Sequence, residues 1–501
     1  MSQEGYICIH GHWYQPPREN PFTGVVEDQP SAAPFRNWNE RITAECYQPN
    51  TRAEILGEDG AVRRHVNNYE WVSSDWGPTL LSWLEGNDPE TYRSIVDADR
   101  ASMERFDGHG MAIAHTYNHT ILPLSNRRDK RTQILWGIAD FEHRFGRFPE
   151  GMWLPETAVD LESLELMAEA GIRFTVLSPY QAASVLEGGD WVDVVGGRID
   201  TRAPYTVQLP SGRSMSVFFY NGPLSQEIAF NGVLEDGAIL AKRLIQALGE
   251  PADEPLLSHV ATDGETYGHH HRHGEMALAK AIEDIDADPD VHLTNYAQFL
   301  ERYPPRRTVR IIEGTSWSCA HGVDRWRTDC GCSSGLQPGW NQGWRGPLRQ
   351  ALDYLRDSLI DDFATIGSRL FHDPWLTRDE YISVVLGESG EEFLDHHCQP
   401  GLGGEERSQA IDLLEIQHRA MLMYTSCGWF FDDVSGIESV FVIRQAGRVI
   451  DLTRRATGRD LEPGFLEILD RAVSNADDMT GRDVYERSVT QYLSSWERPS
   501  I

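Results

Sequence analysis

Two short segments of this chain end an apolar run in a carboxylate: Met152-Trp153-Leu154-Pro155-Glu156, and residues 256–262 followed by Asp263-Gly264-Glu265-Thr266-Tyr267-Gly268. A buried strand that stops abruptly at an acid, on the rim of an α/β domain, is a position where catalytic groups sit. Two such ends facing one cleft provide what cleavage of a glycosidic bond requires. A proton must reach the leaving oxygen while negative charge or a nucleophile supports the cation developing at the sugar carbon. One carboxyl group therefore stays protonated and the other ionised. Retaining enzymes separate the two by about 5–5.5 Å and inverting enzymes by about 6.5–9.5 Å, and the sequence does not set that distance. Taken singly, an acid after a strand reads as an N-cap or a surface charge, so the surroundings of each decide its weight.

Polar and aromatic groups gather at two further strand ends. His10-Gly11-His12-Trp13-Tyr14-Gln15-Pro16-Pro17 follows the first β-rich run. In extended backbone His10 and His12 point the same way, and the prolines then break the strand. Ala114-His115-Thr116-Tyr117-Asn118-His119-Thr120-Ile121-Leu122-Pro123-Leu124 repeats the pattern. A lone histidine is usually a satisfied structural residue. Two of them beside Trp13, Tyr14 and Gln15 fit a sugar held by hydrogen-bonding side chains next to aromatic faces.

These ends need a scaffold, and the first three hundred residues supply one. Strand-like runs at 6–10, 111–115, 151–154, 173–177, 214–220, 256–261 and 291–294 alternate with amphipathic segments at 128–145, 161–170, 238–248 and 275–285. Such alternation predicts an α/β fold with a parallel sheet and helical crossovers, closed into a barrel or open. From about residue 310 the texture changes. Helical apolar spacing at 347–370, 378–386, 404–424, 437–457 and 463–477 predicts a mainly helical bundle, so the expected domains are 1–310 and 311–501. Residues 315–345, rich in Gly, Trp and Cys, are expected to form a long structured loop of the kind that lines sites.

Composition narrows the partners. The net charge of −32, from 45 basic against 77 acidic side chains, repels phosphate backbones and anionic lipids, which argues against nucleic acid and membrane surfaces. No stretch reaches the roughly 18 apolar residues of a membrane span. The start lacks the basic and apolar regions of a cleaved signal, and the seven cysteines suit reduced thiols. A cytoplasmic location is therefore expected.

Together the motifs resemble glycoside hydrolase family 57 across roughly the first 270 residues. His10 to Pro16 is similar to that family's His-x-His-Gln-Pro motif, with two extra residues before Gln15. His115 to Leu124 resembles its second motif, Trp153-Leu154-Pro155-Glu156 its Trp-Leu-x-Glu signature, and Asp263 to His269 its Asp-x-Glu motif followed by an aromatic, glycine and histidine. The resemblance implies a (β/α)7-type barrel and a retaining mechanism on α-linked oligosaccharide or polysaccharide, with Glu156 as nucleophile and Asp263 as general acid and base. It further implies substrate contacts from His10, His12, Trp13, Gln15, His115, His119, Trp153, Glu265, Tyr267 and His269. The fifth motif departs from the family. Its best match is Ser426-Cys427-Gly428-Trp429, where Cys427-Gly428 stands in place of an acid and Trp429 is the candidate sugar platform. The C-terminal half looks like an uncharacterised domain attached to some members.

Cys319, His321, Cys330 and Cys332 crowd into one segment but lack the Cys-x-x-Cys or His-x₃₋₅-His knuckles usual for structural zinc. They read as small buried residues in a folded loop, and no metal or other cofactor is expected. Two other classes stay in view. One is a divalent-metal deacetylase or mannosidase-like hydrolase, with Asp263, His12 and His119 as ligands, in which Trp-Leu-Pro-Glu has no role. The other is a carbohydrate-binding protein without catalysis, which has no need of a paired acid and carboxylate. Of the fifteen tryptophans, Trp13, Trp153, Trp317, Trp340, Trp344 and Trp429 lie near motifs or in the long loop, where sugar stacking competes with core packing.

Overall fold

From Tyr6 to Trp13 the side chains alternate, Tyr6, Cys8, His10 and His12 on one side and Ile7 and Ile9 on the other, the period of a strand covered on both faces. In the computed structural model, which describes residues 5–250, 254–476 and 478–493, this run is strand β1 (Gly5–Trp13), and all nine residues are buried. Six more parallel strands follow: β2 (Ser73–Trp76), β3 (Ala112–His115), β4 (Met152–Trp153), β5 (Phe174–Leu177), β6 (Ser214–Phe219) and β7 (Leu256–Asp263). Their pairing runs β7-β1-β2-β3-β4. A single parallel bridge between Gly151 and Phe174 carries β4 to β5, and β5 pairs with β6. The end of β6 returns to β7 through one main-chain hydrogen bond, Asn221 N–H to the His259 carbonyl at 2.9 Å. The result is the seven-stranded α/β barrel expected from the sequence, with sparse pairing at the β4–β5 and β6–β7 seams.

Two strands share their edges. The first residues of β1 pair with Val291–Leu293, which lies outside the barrel wall, and its last residues pair with β2. The first half of β6 is taken by the antiparallel strand Tyr205–Gln208, which leads into Arg307–Ile311, Ala182–Glu187 and Asp190–Asp193. Helices cross between strands with caps that the sequence supplies. The Asp160 carboxylate accepts the Ser163 N–H at 2.8 Å to start Leu161–Glu169, and Asn221 does the same for Gly222–Phe230 through Leu224. Each such cap stabilises its helix by about 1 kcal/mol.

The barrel interior is apolar at the bottom and polar at the top. Tyr6, Cys8, Phe174, Val176, Phe218 and Leu257 close around Tyr296, Phe299 and Leu300 of the helix Tyr296–Arg302. Burial of each large side chain there stabilises the fold by about 1.5–3 kcal/mol. Along β1 the inward row then turns from Tyr6 and Cys8 to His10 and His12, and along β7 from Leu257 to His259, Ala261 and Asp263. These polar side chains sit at the C-terminal ends of the strands, where barrels of this kind carry their sites.

By packing, the chain sorts into two compact units: Met1–Gln15, Asp28–His115 and Phe141–Trp317 form the first, and Pro16–Glu27, Thr116–Asp140 and Ser318–Ile501 the second. The second unit is mainly helical. Its long helix Arg345–Leu370 buries Leu348, Leu352, Leu355, Leu359 and Phe363 along one stripe, the spacing of an amphipathic helix. Gly404–Leu422 packs on Ile437–Thr457, joined by a two-pronged Arg455–Asp412 ion pair at 2.5 and 2.8 Å. The helix expected over 378–386 is broken into Pro374–Glu380 and Ile382–Val385. Strand β2 has no counterpart among the expected runs, because Ser73-Ser74-Asp75 is too polar to read as a buried strand.

Candidate active site

Register brings three polar residues into one row at the top of the barrel. His12 of β1 stands opposite Asp263 of β7 on one side and Asp75 of β2 on the other. Neighbouring strands are about 4.8 Å apart, so side chains at one level meet. The Asp75 carboxylate is fully buried and grips both histidines, His12 Nδ1 at 2.8 Å and His10 Nε2 at 3.1 Å, while His10 Nδ1 lies 3.0 Å from the Ser73 hydroxyl. His115 Nε2 approaches the same carboxylate at 4.0 Å. Trp153 floors the group, stacked against His10 and His12 at centroid distances of 4.8 and 5.3 Å.

Electrostatics separates these groups. Burial opposes charge on His12, but the Asp75 carboxylate outweighs it, with help from Asp263 and Glu265, and lifts the ring to about 9. Burial likewise works against ionised Asp75, and His12 and His10 overcome it, holding the carboxyl at about 2. His10 lies deeper, and there burial wins over Asp75, so its pKa falls. The pair His12–Asp75 is thus a fixed ion pair beside the acid of β7.

Asp263 ends β7 and is exposed, yet enough protein surrounds it to strip water from its carboxylate. This crowding raises its pKa; the His12 cation opposes the rise and the Asp75 charge adds to it. Next to it Glu265 is buried and raised to about 7, by burial against the opposing hydrogen bond from the Tyr47 hydroxyl, with Asp263 adding. The turn after Asp263 fits only because residue 264 is glycine. A Cβ there would stand 2.2 Å from the Trp13 ring.

Glu156 is set by its backbone. It follows β4 in a short 3₁₀ turn, Pro155–Thr157, with φ 57° and ψ 20°, a left-handed conformation that costs a non-glycine residue about 1–2 kcal/mol. Trp317 holds it at both ends. Its main-chain N–H donates to the Glu156 carbonyl at 3.0 Å, and its indole N–H donates to Oε2 at 3.0 Å. The Trp317 ring meets Trp153, His12 and Tyr220 edge-on at 5.2, 6.2 and 6.2 Å, and Tyr220 in turn feels the charge of Asp263. Through Trp317 and His12 the two acids belong to one rim.

The remaining sequence candidates divide. His10, His12, His115, Trp153, Glu265 and the two acids come together in this rim. Trp13 is fully buried, stacked on Trp76 at 5.3 Å and set against Gly264. It therefore supports the Asp263 turn and has no ring face for a sugar. Tyr267 is likewise fully buried, its hydroxyl 3.3 Å from that of Thr262, and Gln15 is buried with its amide donating to the Tyr14 carbonyl at 3.0 Å. His269 Nδ1 is hydrogen-bonded to Glu45. His119 lies in the second unit, where Nδ1 meets the Ser426 hydroxyl at 2.6 Å. Trp429 corrects an expectation. It is 1 % exposed, stacked on Tyr424 at 6.3 Å, with its indole N–H donating to the Arg345 carbonyl at 3.2 Å, so it is core and not a sugar platform. Trp344 is core as well.

Asp75 is the site residue that sequence reasoning missed, and Trp317, named there only among the tryptophans near motifs or in the long loop, is the partner of Glu156. Asp75 follows Ser73-Ser74 and not an apolar run, so the criterion that singled out Glu156 and Asp263 passes it over. Trp317 carries no local signal, since its partner lies 161 residues away. A depression of about 560 Å³ lined by Arg173, Arg213, Ser214, Leu300 and Pro304 opens where β5 and β6 begin. It faces the end of the barrel opposite the acids, and the chemistry is not there.

Comparison with known proteins agrees with this geometry. Residues 36–312 match the model of glycosyl hydrolase family 57, and residues 340–498 match a domain of unknown function, DUF3536. The chain is 27 % identical over 190 residues to alpha-amylase 1 of Dictyoglomus thermophilum, covering 38 % of this chain and 24 % of that protein. It is 25 % identical over 259 residues to the 4-alpha-glucanotransferase of Thermococcus litoralis, covering 48 % and 35 %. The matches thus span about a quarter to a third of these relatives' lengths. Among solved structures, the fold is shared with an exo-type maltose-forming amylase from Pyrococcus sp. ST04, at TM-score 0.68, 16 % identity and coverage of 98 % and 93 %. It is also shared with a family 57 branching enzyme from Pyrococcus horikoshii, at TM-score 0.57, 15 % identity and coverage of 99 % and 98 %. With more than half its length, residues 36–312, matched by the family model, the chain belongs to glycosyl hydrolase family 57.

Proposed function

We propose that this chain is a retaining enzyme acting on α-linked glucose oligomers or polymers, with Glu156 as nucleophile and Asp263 as general acid and base. The observation that carries the reading is the contrast between the acids. Asp263 sits where crowding favours its proton, and Glu156 is clamped by two Trp317 donors in a strained turn. In the first step a Glu156 oxygen bonds the anomeric carbon as the glycosidic C–O bond breaks, and the Asp263 proton passes to the leaving oxygen. In the second, the Asp263 carboxylate takes a proton from water or a sugar hydroxyl, which attacks the anomeric carbon and releases Glu156. His12, held as a cation by Asp75, stands beside Asp263 and orients hydroxyl groups of the sugar. The names of the relatives, amylase, glucanotransferase and branching enzyme, support an α-glucan as substrate.

Product analysis on maltooligosaccharides, glycogen and aryl α-glucosides distinguishes hydrolysis, transfer and branching in one assay. Glu156→Gln should lower turnover by at least ~10⁴-fold, beyond what loss of a general acid removes. Asp263→Asn should lower kcat/KM by about 10²–10⁴-fold on glucans and far less on aryl glucosides, whose leaving group needs no proton in the first step that kcat/KM reports. A fluorinated glucosyl trap should label the peptide that contains Glu156. Label on another residue, or equal loss on both substrate types for Asp263→Asn, sinks the assignment.

A further inference from the structure

We propose that Cys319, His321, Cys330 and Cys332 form a structural zinc site in the loop that precedes the helix Arg345–Leu370. This segment falls between the stretches matched by the two family models, residues 36–312 and 340–498. The donor atoms of all four side chains lie within 4.8 Å of one another. Cys319 Sγ and Cys330 Sγ are 3.9 Å apart, and Cys332 Sγ is 3.5 Å from His321 Nδ1. Zinc bonds of about 2.3 Å to sulfur and 2.0–2.1 Å to nitrogen at the tetrahedral angle give edges of about 3.8 Å between sulfurs and about 3.5 Å between sulfur and nitrogen. The observed edges match both, and Cys319, Cys330 and Cys332 are thiols outside any disulfide.

The sequence lacks standard knuckles, but the backbone makes equivalents. The Gly322 N–H donates to the Cys319 carbonyl at 3.2 Å, closing a turn over Cys319-Ala320-His321. Gly331, at φ 80°, takes the left-handed conformation that lets Cys330 and Cys332 face one point across a single residue. Cys330 and Cys332 are half-buried and not core, which departs from the reading of the cluster as buried packing.

Charge around the cluster points the same way. Arg325 and Arg345 are buried, at 4 % and 0 % exposure. Arg345 donates to the carbonyls of Cys332, Phe430 and Phe431 at 2.7, 3.4 and 3.3 Å, and Arg325 to that of Ser318 at 2.9 Å. Both cations thus bond main-chain oxygens, and the Nε of each has no hydrogen-bond partner among the described residues. Three thiolates and one imidazole around Zn²⁺ carry a net charge of −1, a counter-charge for these guanidinium groups. Binding releases the three thiol protons to solvent. Four protein ligands leave no open position, so the site is structural and not catalytic.

The test uses the full chain purified without chelator. Elemental analysis should give about one zinc per chain, released on titration with an organomercurial. Cobalt(II) added to reduced, metal-stripped protein should produce the charge-transfer and ligand-field bands of a tetrahedral thiolate site. Cys332→Ser should lower bound metal at least ~10-fold, Cys332→His should retain it, and Cys398→Ser should leave it unchanged. Wild-type protein that carries no stoichiometric zinc and gives no tetrahedral cobalt spectrum overturns the proposal. So does a Cys319–Cys330 disulfide found in protein made under reducing conditions.

Discussion

One carboxylate answers two imidazoles differently. Asp75 bonds His10 and His12 at 3.1 and 2.8 Å, yet His12 is raised and His10 lowered, because His12 also faces Asp263 and Glu265 while His10 is sealed over Trp153. The consequence for stability has a definite sign. His12 has a folded value of about 9 against 6.5 unfolded, so its contribution is complete below 6.5 and disappears as pH rises through 9. Asp75, at about 2 against 3.8, contributes fully above 3.8 and loses this as pH falls through 2. The pair therefore stabilises most between about pH 4 and 6.5. His12→Gln should show its largest drop in melting temperature in that window, with the gap to wild type closing towards pH 9. A gap that stays constant from pH 5 to pH 9 contradicts the ion pair.

At the scale of elements, the barrel works by register: β1 carries His12 to the height at which β2 presents Asp75 and β7 presents Asp263. The turn after β7 depends on Trp13 lying against a residue without a side chain. Gly264→Ala places a methyl 2.2 Å from that ring; it should cost about 1–3 kcal/mol of stability and lower kcat more than it raises KM, because the displaced group is Asp263. Unchanged unfolding and unchanged kcat speak against this support. The alternation of strands and helices, the acids at two strand ends and the helices within 347–370, 404–424 and 437–457 were legible in the sequence, since each is a local pattern. The stretch 378–386 is instead broken in two, and 463–477 is helical only over Glu462–Leu469. Strand β2 was not, because Ser73-Ser74-Asp75 is polar and buried only through its partners. Trp429 misled for a related reason, as an aromatic in a motif-like setting looks the same whether its ring faces a cleft or a core. The clamp by Trp317 is a long-range contact, invisible to any window along the chain.

At the scale of the molecule, the two compact units are not successive pieces of chain. Residues 116–140 fold with the C-terminal helices: the Ser426 N–H donates to the His119 carbonyl at 2.9 Å, the Thr425 hydroxyl to the Asn118 carbonyl at 3.1 Å, and Arg378 pairs with Asp129 at 2.7 Å. A chain ending after residue 317 would leave these groups without partners and Trp136, now fully buried, without cover. Such a truncation should lack a single cooperative melting transition, and co-expression of residues 318–501 should restore it. A fragment of residues 1–317 that melts as sharply and as high as the full chain refutes this interdependence. Among the described residues no helix is long and apolar enough to cross a membrane.

With Glu156 as the proposed nucleophile, its left-handed turn ties upkeep of the fold to use of the reaction. A side chain kept at a backbone angle that glycine or asparagine would adopt with less cost persists only while selection on turnover outweighs that cost. In a lineage that had abandoned catalysis, this position would be among the first to relax. The residue found there in any related chain is then a short record of whether that chain still works as a catalyst.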